Sequence, residues 1–254
     1  MQLPGLSPAL QALPGEHAVT TLAIATMFPL ATVAAGDEAN ATALARRAHL
    51  RGIETTLTTV NTSDVAVEAD VYLLGGDGLS GVADLVSQLR RTDLRERVLA
   101  GRAMVFAVDA GMVALCRSWQ EASGVRPRGL GLVDADVLSG NRHLETVATI
   151  PQPEIGLPAM VGWRSAALSI SRGPEVRSLC AVQGVKASSP WARDGIVTDR
   201  VIGTQLHGPV LSLNPELADL ILSRVMGAPV PRSSSAPHAE EARARRIAEV
   251  IKQK

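Results

Sequence analysis

The chain has very few aromatic side chains, with two Phe, three Trp and one Tyr in 254 residues. Stacking platforms for single-stranded nucleic acid are therefore not expected. The 25 basic and 25 acidic residues cancel, so no overall field draws the chain to nucleic acid or to an anionic membrane. No stretch approaches the roughly 18 apolar residues of a membrane span, and the N-terminus lacks the features of a signal peptide. The sequence predicts a cytoplasmic protein that binds no nucleic acid and has no membrane span.

Cysteine is also scarce, since Cys116 and Cys180 are the two that the sequence contains. Two cysteines are too few for a disulfide scaffold, and no cluster of them suits zinc. We therefore expect neither a metal site nor another cofactor. The hydrophobic content of 46% is that of a folded globular protein. With so few aromatics, its core is expected to consist of Ala, Val, Leu and Ile.

Apolar β-like runs alternate with helical patterns in the first half of the chain. This alternation predicts a mostly parallel central sheet flanked by helices, with ligands gathered where strands end in loops. Cys116 is expected inside the last of these helices and mostly buried. The predicted strands are 19–26, 53–60, 71–74 and 103–108, and the predicted helices are 39–52, 79–99 with a break near Thr92, and about 111–119.

The second half of the chain has a different character. From Gly129 to Gly203 the apolar segments are short and separated by Gly and Pro, which predicts antiparallel strands and hairpins added to the first sheet. The last of these segments is Ile196–Gly203. A helix is predicted at 215–226, with Asn214 as its N-cap and Pro215 at its first position.

These patterns divide the chain into three parts. Residues 1–18 form an N-terminal extension, 19–227 one α/β domain, and 228–254 a Pro/Ser linker followed by a charged helix. That terminal helix has few apolar residues. It is expected to be solvated or docked on a partner.

Asp109 follows an apolar strand and precedes Ala110 and Gly111 at the start of a helix. A strand, one reactive residue, small residues and a helix are the parts of a nucleophile elbow, because small neighbours let the backbone turn sharply. An Asp at a helix start is also a good cap that interacts favourably with the helix dipole. On the residues alone, capping is the better explanation.

Two other segments could contribute to chemistry. His207 lies in a sequence that favours a loop, where it could act as a general base; for a lone histidine, hydrogen bonding to backbone is the favoured interpretation. Gly75-Gly76-Asp77-Gly78 follows a strand, and its N–H groups could bind an oxyanion or a phosphate. A tight turn is the default interpretation, because the spacing matches neither the Walker nor the dinucleotide motif.

Together these segments resemble the CobB/CobQ-type class I glutamine amidotransferases, and most of all the GatD-like glutaminase subunit of lipid II isoglutaminyl synthase. The resemblance covers nearly the whole chain and implies a flavodoxin-like fold. The Leu-His-Gly-Pro and Asn-Pro-Glu-Leu-Ala-Asp sequences are its most specific part. The matching segments are Gly-Asp-Glu-Ala-Asn at 36–40, Leu-Leu-Gly-Gly-Asp-Gly at 73–78, Gly-Leu-Gly-Leu-Val-Asp at 129–134, Asn141-Arg142 and 201–222.

The resemblance also implies a set of site residues. These are a Cys nucleophile on the elbow, His207 as its base, oxyanion-hole amides near Gly75 and Gly76, and Arg142 in contact with glutamine. The nucleophile position is Asp109 in this chain. A carboxylate is a much poorer nucleophile toward an amide than a thiolate, and its charge would oppose that of the substrate oxyanion.

Two further segments depart from the family pattern, namely Gly162–Ala166 and Gln183–Ala187. We therefore expect a protein that keeps the amidotransferase fold, has lost glutaminase activity and serves as a partner or regulatory subunit of a MurT-like, Mur-ligase-like protein. One alternative is an active glutaminase that supplies ammonia for amidation of a cell-wall precursor or a cobyric-acid-like substrate. The other is a different hydrolytic enzyme that uses an Asp109–His207 pair.

Overall fold

The computed structural model describes residues 21–28, 37–61, 67–76, 78–138, 142–166, 168–230 and 237–252. In these ranges the strands are β1 Thr21–Met27, β2 Glu54–Val60, β3 Val71–Leu74, β4 Met104–Val108, β5 Cys116–Gln120, β6 Val133–Leu138, β7 Arg142–Pro151, β8 Met160–Ala166, β9 Ser169–Arg172, β10 Cys180–Val182, β11 Arg193–Asp194, β12 Ile196–Val197, β13 Val201–Thr204 and β14 Leu206–His207. The helices are α1 Asp37–His49, α2 Val82–Leu89, α3 Leu94–Leu99, α4 Ala110–Leu115, α5 Val210–Leu213, α6 Pro215–Met226 and α7 Pro237–Lys252.

The central sheet has six strands in the order β12-β13-β4-β3-β1-β2. All neighbours are parallel except β12 and β13. This confirms the predicted α/β class with a mostly parallel sheet. The prediction was wrong for β13, which lies parallel beside β4 rather than among the antiparallel additions. All four β13 residues are buried, as expected for a strand that is covered on both faces.

Apolar side chains fill both faces of this sheet. Along β4, Val105 and Ala107 belong to one buried cluster, whereas Met104 and Phe106 belong to the other. This division follows from the alternation of side chains along a strand. The first cluster includes residues of α2 and α4, and the second includes residues of α1, α5 and α6.

The added strands form two further sheets. A five-stranded sheet has the order β11-β10-β7-β8-β14, and a three-stranded sheet has the order β5-β6-β9. All pairs in the five-stranded sheet are antiparallel. The predicted antiparallel additions are therefore confirmed for this sheet, whereas in the three-stranded sheet β6 pairs antiparallel with β9 but parallel with β5. In the described part of the chain, no helix is long and apolar enough to cross a membrane.

The helix that follows Asp109 is shorter than predicted. It ends at Leu115, and Cys116 begins β5 instead of lying inside the helix. The reason is that residues 129–132, remote in sequence, bind the carbonyl groups that a longer helix would use: Leu130 N–H bonds to Ala114 O at 2.8 Å and Gly131 N–H to Cys116 O at 3.1 Å. Cys116 is completely buried, as expected.

The other helices differ in smaller ways. The break predicted near Thr92 separates α2 from α3, while α1 begins at Asp37, two residues earlier than predicted. Asn214 precedes α6, but its side chain makes no capping bond. It bonds instead to the Val161 N–H at 3.0 Å and the Val161 carbonyl at 2.9 Å. The predicted capping role was wrong because this buried amide pairs with β8.

The charged C-terminal helix α7 packs on its own chain. Arg243 binds both carboxylate oxygens of Glu216 in α6. The Arg246 guanidinium lies 4.8 Å from the centroid of the Trp163 ring in β8. The helix is therefore not solvated on all sides, and its docking on a partner stays a prediction. The extension at 1–18 and most of the linker lie outside the described residues, so the proposed division of the chain stays a prediction.

Candidate active site

Asp109 stands at a sharp turn between β4 and α4. Its backbone has φ 43° and ψ −107°, a conformation that is costly for a residue with a side chain. The Asp109 N–H donates to the Thr204 carbonyl of β13 at 2.9 Å, which fixes the turn to the neighbouring strand. A Cβ at Gly111 would lie 2.6 Å from the Leu74 carbonyl oxygen, so the turn also requires glycine there. This is the predicted elbow geometry.

The Asp109 side chain does not cap α4. Its Oδ2 atom accepts a hydrogen bond from the Gly78 N–H at 2.8 Å and lies 3.0 Å from Nε2 of His207. Asp109 is 1% exposed and His207 is 3% exposed. The capping interpretation was therefore wrong, and the structure brings together the two residues that the resemblance had paired, in a buried ion-pair geometry.

Position and orientation of His207 are set by the strands around it. β14 is antiparallel to β8, with His207 opposite Trp163. Thr204 and Gln205 lie just before β14. The Thr204 hydroxyl and the Gln205 N–H donate hydrogen bonds to the buried carboxylate of Asp194, at 2.5 Å and 2.9 Å. Buried polar groups with satisfied hydrogen bonds hold a segment in one arrangement. His207 is thereby held at the end of β4, beside the elbow.

A second carboxylate, Asp37, lies beside the pair. It is almost completely buried at the start of α1, and a Cβ at Gly75 would come within 1.6 Å of its Oδ1 atom. Burial raises the pKa of Asp37 to about 6, while the charge of His207 lowers it and that of Glu38 raises it. Asp37 therefore titrates near neutrality, unlike an ordinary surface carboxylate.

The start of α1 is also tied to the loop after His207. The Asn40 side chain donates to the Gly208 carbonyl at 3.3 Å and accepts from the Leu211 N–H at 3.0 Å. Asp37 and Asn40 are the buried polar residues of the 36–40 segment that carries part of the resemblance; Gly36 lies outside the described residues. The segment thus supplies the buried carboxylate of Asp37 and, through Asn40, two hydrogen bonds that hold the loop after His207.

The glycine loop after β3 contributes an amide to the elbow. Gly76 has φ 130° and Gly78 has φ 73°, values that favour glycine. Oxyanion-hole amides were expected near Gly75 and Gly76, but the amide that contacts Asp109 is that of Gly78. Gly75 instead leaves room for the carboxylate of Asp37. Asp77 lies outside the described residues, and an oxyanion-binding role for Gly75 and Gly76 stays a prediction.

The expected glutamine contact, Arg142, begins β7, and its backbone is paired with Ala166 of β8. Its side chain lies outside what the structure describes, as does Asn141. A role of Arg142 in glutamine binding therefore stays a prediction. Within the described residues, no three His, Cys, Asp or Glu side chains converge as metal ligands.

The segment at 162–166, which departs from the family pattern, now has structural roles. A Cβ at Gly208 would lie 2.9 Å from the Trp163 ring, so this ring packs directly against the loop after His207. Arg164 is buried and binds the Glu145 carboxylate of β7. These contacts stabilise the β7-β8-β14 sheet on the side of the site.

Sequence reasoning missed Asp37, Asn40 and Gly78 as parts of the site. The first two stand in a segment that was matched to the family without a role, because an acid at a helix start is ordinarily explained by the helix dipole. Gly78 belongs to a glycine cluster in which the donor that reaches the elbow cannot be chosen from sequence. The missing signal is tertiary: Asp37 lies near His207, Asn40 binds the loop after it, and Gly78 binds Asp109.

Comparisons with known proteins place this geometry in a known fold. No family model matches the sequence, and no curated protein matches it. A solved glutamine amidotransferase is similar to this chain with a TM-score of 0.53 and 18% identity, over 79% of this chain and 98% of the other.

Two further solved structures agree. A glutamine amidotransferase from Thermotoga maritima has a TM-score of 0.50 and 10% identity, over 81% of this chain and 98% of the other. The glutaminase domain of Trypanosoma brucei CTPS, solved with bound acivicin, has a TM-score of 0.53 and 10% identity, over 85% and 97%. The chain has the fold of class I glutamine amidotransferases.

Proposed function

We propose that this protein is a glutamine amidotransferase-like subunit that does not hydrolyse glutamine and acts as a non-hydrolytic partner or regulator of a Mur-ligase-like, MurT-like protein. The observation that carries the first half of the proposal is the buried Asp109–His207 pair at the elbow, where Nε2 and Oδ2 are 3.0 Å apart. The second half rests on the sequence resemblance to the GatD-like subunits.

The chemistry of Asp109 argues against glutaminase activity. Hydrolysis of an amide through a covalent intermediate needs a nucleophile that attacks the carboxamide carbon and later leaves from a reactive acyl bond. A thiolate does both, whereas Asp109 would attack through a resonance-stabilised oxygen and form an anhydride. The carboxylate would also place negative charge where the oxyanion of the substrate develops.

The hydrogen bonds of the pair strengthen this argument. The Gly78 N–H donates to Asp109 itself, so that the amide nearest the elbow is already engaged. His207 Nε2 lies 3.0 Å from the same carboxylate oxygen. The ring nitrogen that faces the elbow is therefore engaged with Asp109 rather than with a nucleophile.

The two cysteines do not replace the missing nucleophile. Cys116 is completely buried, and burial raises the pKa of its thiol to about 12. Cys180 is also completely buried, and burial raises its pKa well above the ordinary value. Reactive cysteines have low pKa values and are accessible. An active glutaminase based on another thiol is therefore disfavoured.

The partner is expected to bind outside the terminal helix, because α7 is already engaged with its own chain. Its Arg243 binds Glu216 and its Arg246 stacks on Trp163. Because of these contacts, the terminal helix is not free to extend from the domain and bind a partner. The partner surface therefore belongs to the folded domain.

The decisive experiment measures ammonia release from glutamine by the wild type, by Asp109→Cys and by Asp109→Ala, each alone and with the co-expressed Mur-ligase-like protein. The wild type and Asp109→Ala are expected to match a no-enzyme control. Asp109→Cys tests whether the rest of the glutaminase site survives. Wild-type turnover that His207→Ala abolishes would contradict the proposal.

Partner binding is tested separately by co-purification. Cells that express the Mur-ligase-like protein should yield a complex with the wild type and equally with Asp109→Ala, because binding does not need the elbow. Recovery of this chain alone, from both variants, would refute the partner role while leaving the glutaminase result intact.

A further inference from the structure

The outer strand of the central sheet, β2, is exposed along its length. It forms one end of the strand order, and its side chains at 54 and 56–59 are exposed. Because successive side chains point to opposite faces of a sheet, exposure at consecutive positions means that both faces of β2 are open in the described structure. Leu57, at the middle of the strand, is 52% exposed.

One hydrogen bond establishes which residues of β2 direct their backbone N–H and C=O groups toward β1 and which toward the outer edge; we call this alternation the backbone phase. The Val60 carbonyl accepts the Phe28 N–H at 2.8 Å, so the polar backbone groups of Val60 point toward β1. These groups change sides at each successive residue of a strand. Those of Thr55, Leu57 and Thr59 therefore point away from the sheet, along its outer edge.

Apart from the charge of Glu54 at its start, this edge lacks the features with which proteins prevent strand pairing. The strand has seven residues, Glu-Thr-Thr-Leu-Thr-Thr-Val, without Pro, Lys or a bulge, and pairs in unbroken register with β1. Exposed edges are ordinarily protected by charges, proline, bulges or short length. Thr and Val also have high β-propensity. The strand is suited to accept another strand.

The sequence of the strand indicates which strand it accepts. Residues 55–59, Thr-Thr-Leu-Thr-Thr, are the same in both directions. In an antiparallel pair of identical strands with a two-fold axis at Leu57, Thr55 of one copy lies opposite Thr59 of the other and Thr56 opposite Thr58. Threonine pairs across strands are favourable, and Glu54 faces Val60 rather than another acid.

The backbone phase agrees with the same axis. Antiparallel strands alternate between residue pairs that exchange two hydrogen bonds and pairs that exchange none. An axis at Leu57 makes the outward-facing Leu57, Thr55 and Thr59 the hydrogen-bonding positions. An axis at Thr56 or Thr58 satisfies the same phase, but it would place Leu57 opposite a threonine and lose the symmetric threonine pairs.

We propose that two copies of this chain associate through β2, antiparallel about a two-fold axis at Leu57, so that their central sheets become continuous. A self-complementary patch is what a two-fold interface requires. The chain has a formal net charge of zero, so no long-range repulsion opposes the contact. The inference goes beyond the proposed function and does not depend on Asp109.

Cysteine cross-linking tests the register. In a hydrogen-bonded antiparallel pair the Cα atoms are about 5.5 Å apart, within the range that a disulfide spans. Leu57→Cys is therefore expected to give a covalent dimer under mild oxidation. Thr58→Cys is the matched control, because its two copies would be diagonal neighbours at roughly 7–8 Å, beyond that range. The natural Cys116 and Cys180 are buried and do not interfere.

Sedimentation over a concentration series tests the assembly. Leu57→Lys places two ammonium groups at the axis and is expected to raise the dissociation constant by about tenfold or more. Leu57→Pro should do the same without loss of fold, because the N–H that it removes points outward. Leu99→Lys is the control, since Leu99 on α3 is 59% exposed and remote from β2 in the chain.

Three results would overturn the proposal: a monomer at every concentration, a dimer that Leu57→Lys leaves unchanged, or a disulfide dimer of Thr58→Cys as abundant as that of Leu57→Cys. Hydrogen exchange gives a fourth criterion. The amides of residues 55, 57 and 59 are expected to become protected only as the dimer forms. Equal protection in the dilute monomer would mean that another segment of the chain covers the edge, and would also overturn it.

Discussion

Replacing His207 with alanine is expected to destabilise the protein strongly, because it removes the ring that faces the buried carboxylate of Asp109. The two residues are 1% and 3% exposed, and their atoms are 3.0 Å apart. Removing one partner of a buried ion pair typically costs about 3–5 kcal/mol. With a slope of about 2–3 kcal/mol per molar urea for a small protein, the unfolding midpoint should fall by about 1–2 M.

A double-mutant cycle isolates the contribution of the pair. Asp109→Asn keeps the shape of the side chain but removes its charge, so the amide tolerates the loss of His207 better than the carboxylate does. The double variant Asp109→Asn/His207→Ala is therefore expected to be more stable than His207→Ala alone. The coupling energy between the two sites should be about 2 kcal/mol or more. Urea unfolding followed by circular dichroism at constant pH measures all four proteins.

A matched control fixes the scale of the effect. Arg245 and Glu241 form an exposed ion pair on α7, with N and O atoms 2.6 Å apart. Arg245→Ala is expected to change the free energy of unfolding by no more than about 0.5 kcal/mol. If His207→Ala costs as little as this control and the cycle is additive, then Asp109 and His207 are not coupled and the description of the site is wrong.

Three other changes should also be measurable. The pKa of Asp37 is raised from 3.8 to about 6, so between these pH values the folded state binds more protons than the unfolded state. The free energy of unfolding should therefore fall by up to about 3 kcal/mol as pH rises through this window. Asp37→Asn should remove this dependence, as melting temperatures measured over a pH series would show. Gly75→Ala should destabilise by about 1–3 kcal/mol, because its Cβ meets the Asp37 carboxylate at 1.6 Å, and by less in an Asp37→Ala background, as urea unfolding would show. Arg246→Ala should cost about 0.5–1 kcal/mol through the lost contact with Trp163, and no change in stability would mean that this contact contributes nothing.

The sequence predicted those parts of the fold that depend on local pattern. The buried strand β4, apolar on both alternating faces, indicated a sheet covered on two sides. Small residues after Asp109 indicated the elbow. The early end of α4 could not be predicted, because the groups that replace its hydrogen bonds come from residues 129–132. The capping role predicted for Asn214 was wrong for a related reason, since its buried side-chain amide bonds to Val161 of a remote strand.

The candidate site was predictable only in part. Asp109 and His207 were paired through the family resemblance, whereas each residue alone had a more ordinary explanation. Asp37 carries no local sign of its burial beside Gly75, and the choice of Gly78 as the amide donor depends on the conformation of the glycine loop. Charged groups acquire unusual properties from neighbours that tertiary structure supplies. Local sequence rules do not contain that information.

The order of strands in the central sheet determines when this site can form during synthesis. β4 is complete at residue 108, but its neighbour β13 begins at residue 201 and His207 follows still later. Strands that are far apart in sequence pair slowly, and the edge of the first strand stays unpaired until the second one is available. One edge of β4 therefore stays unpaired while roughly 90 further residues are synthesised. The strained elbow and the ion pair can then close only after most of the chain has emerged.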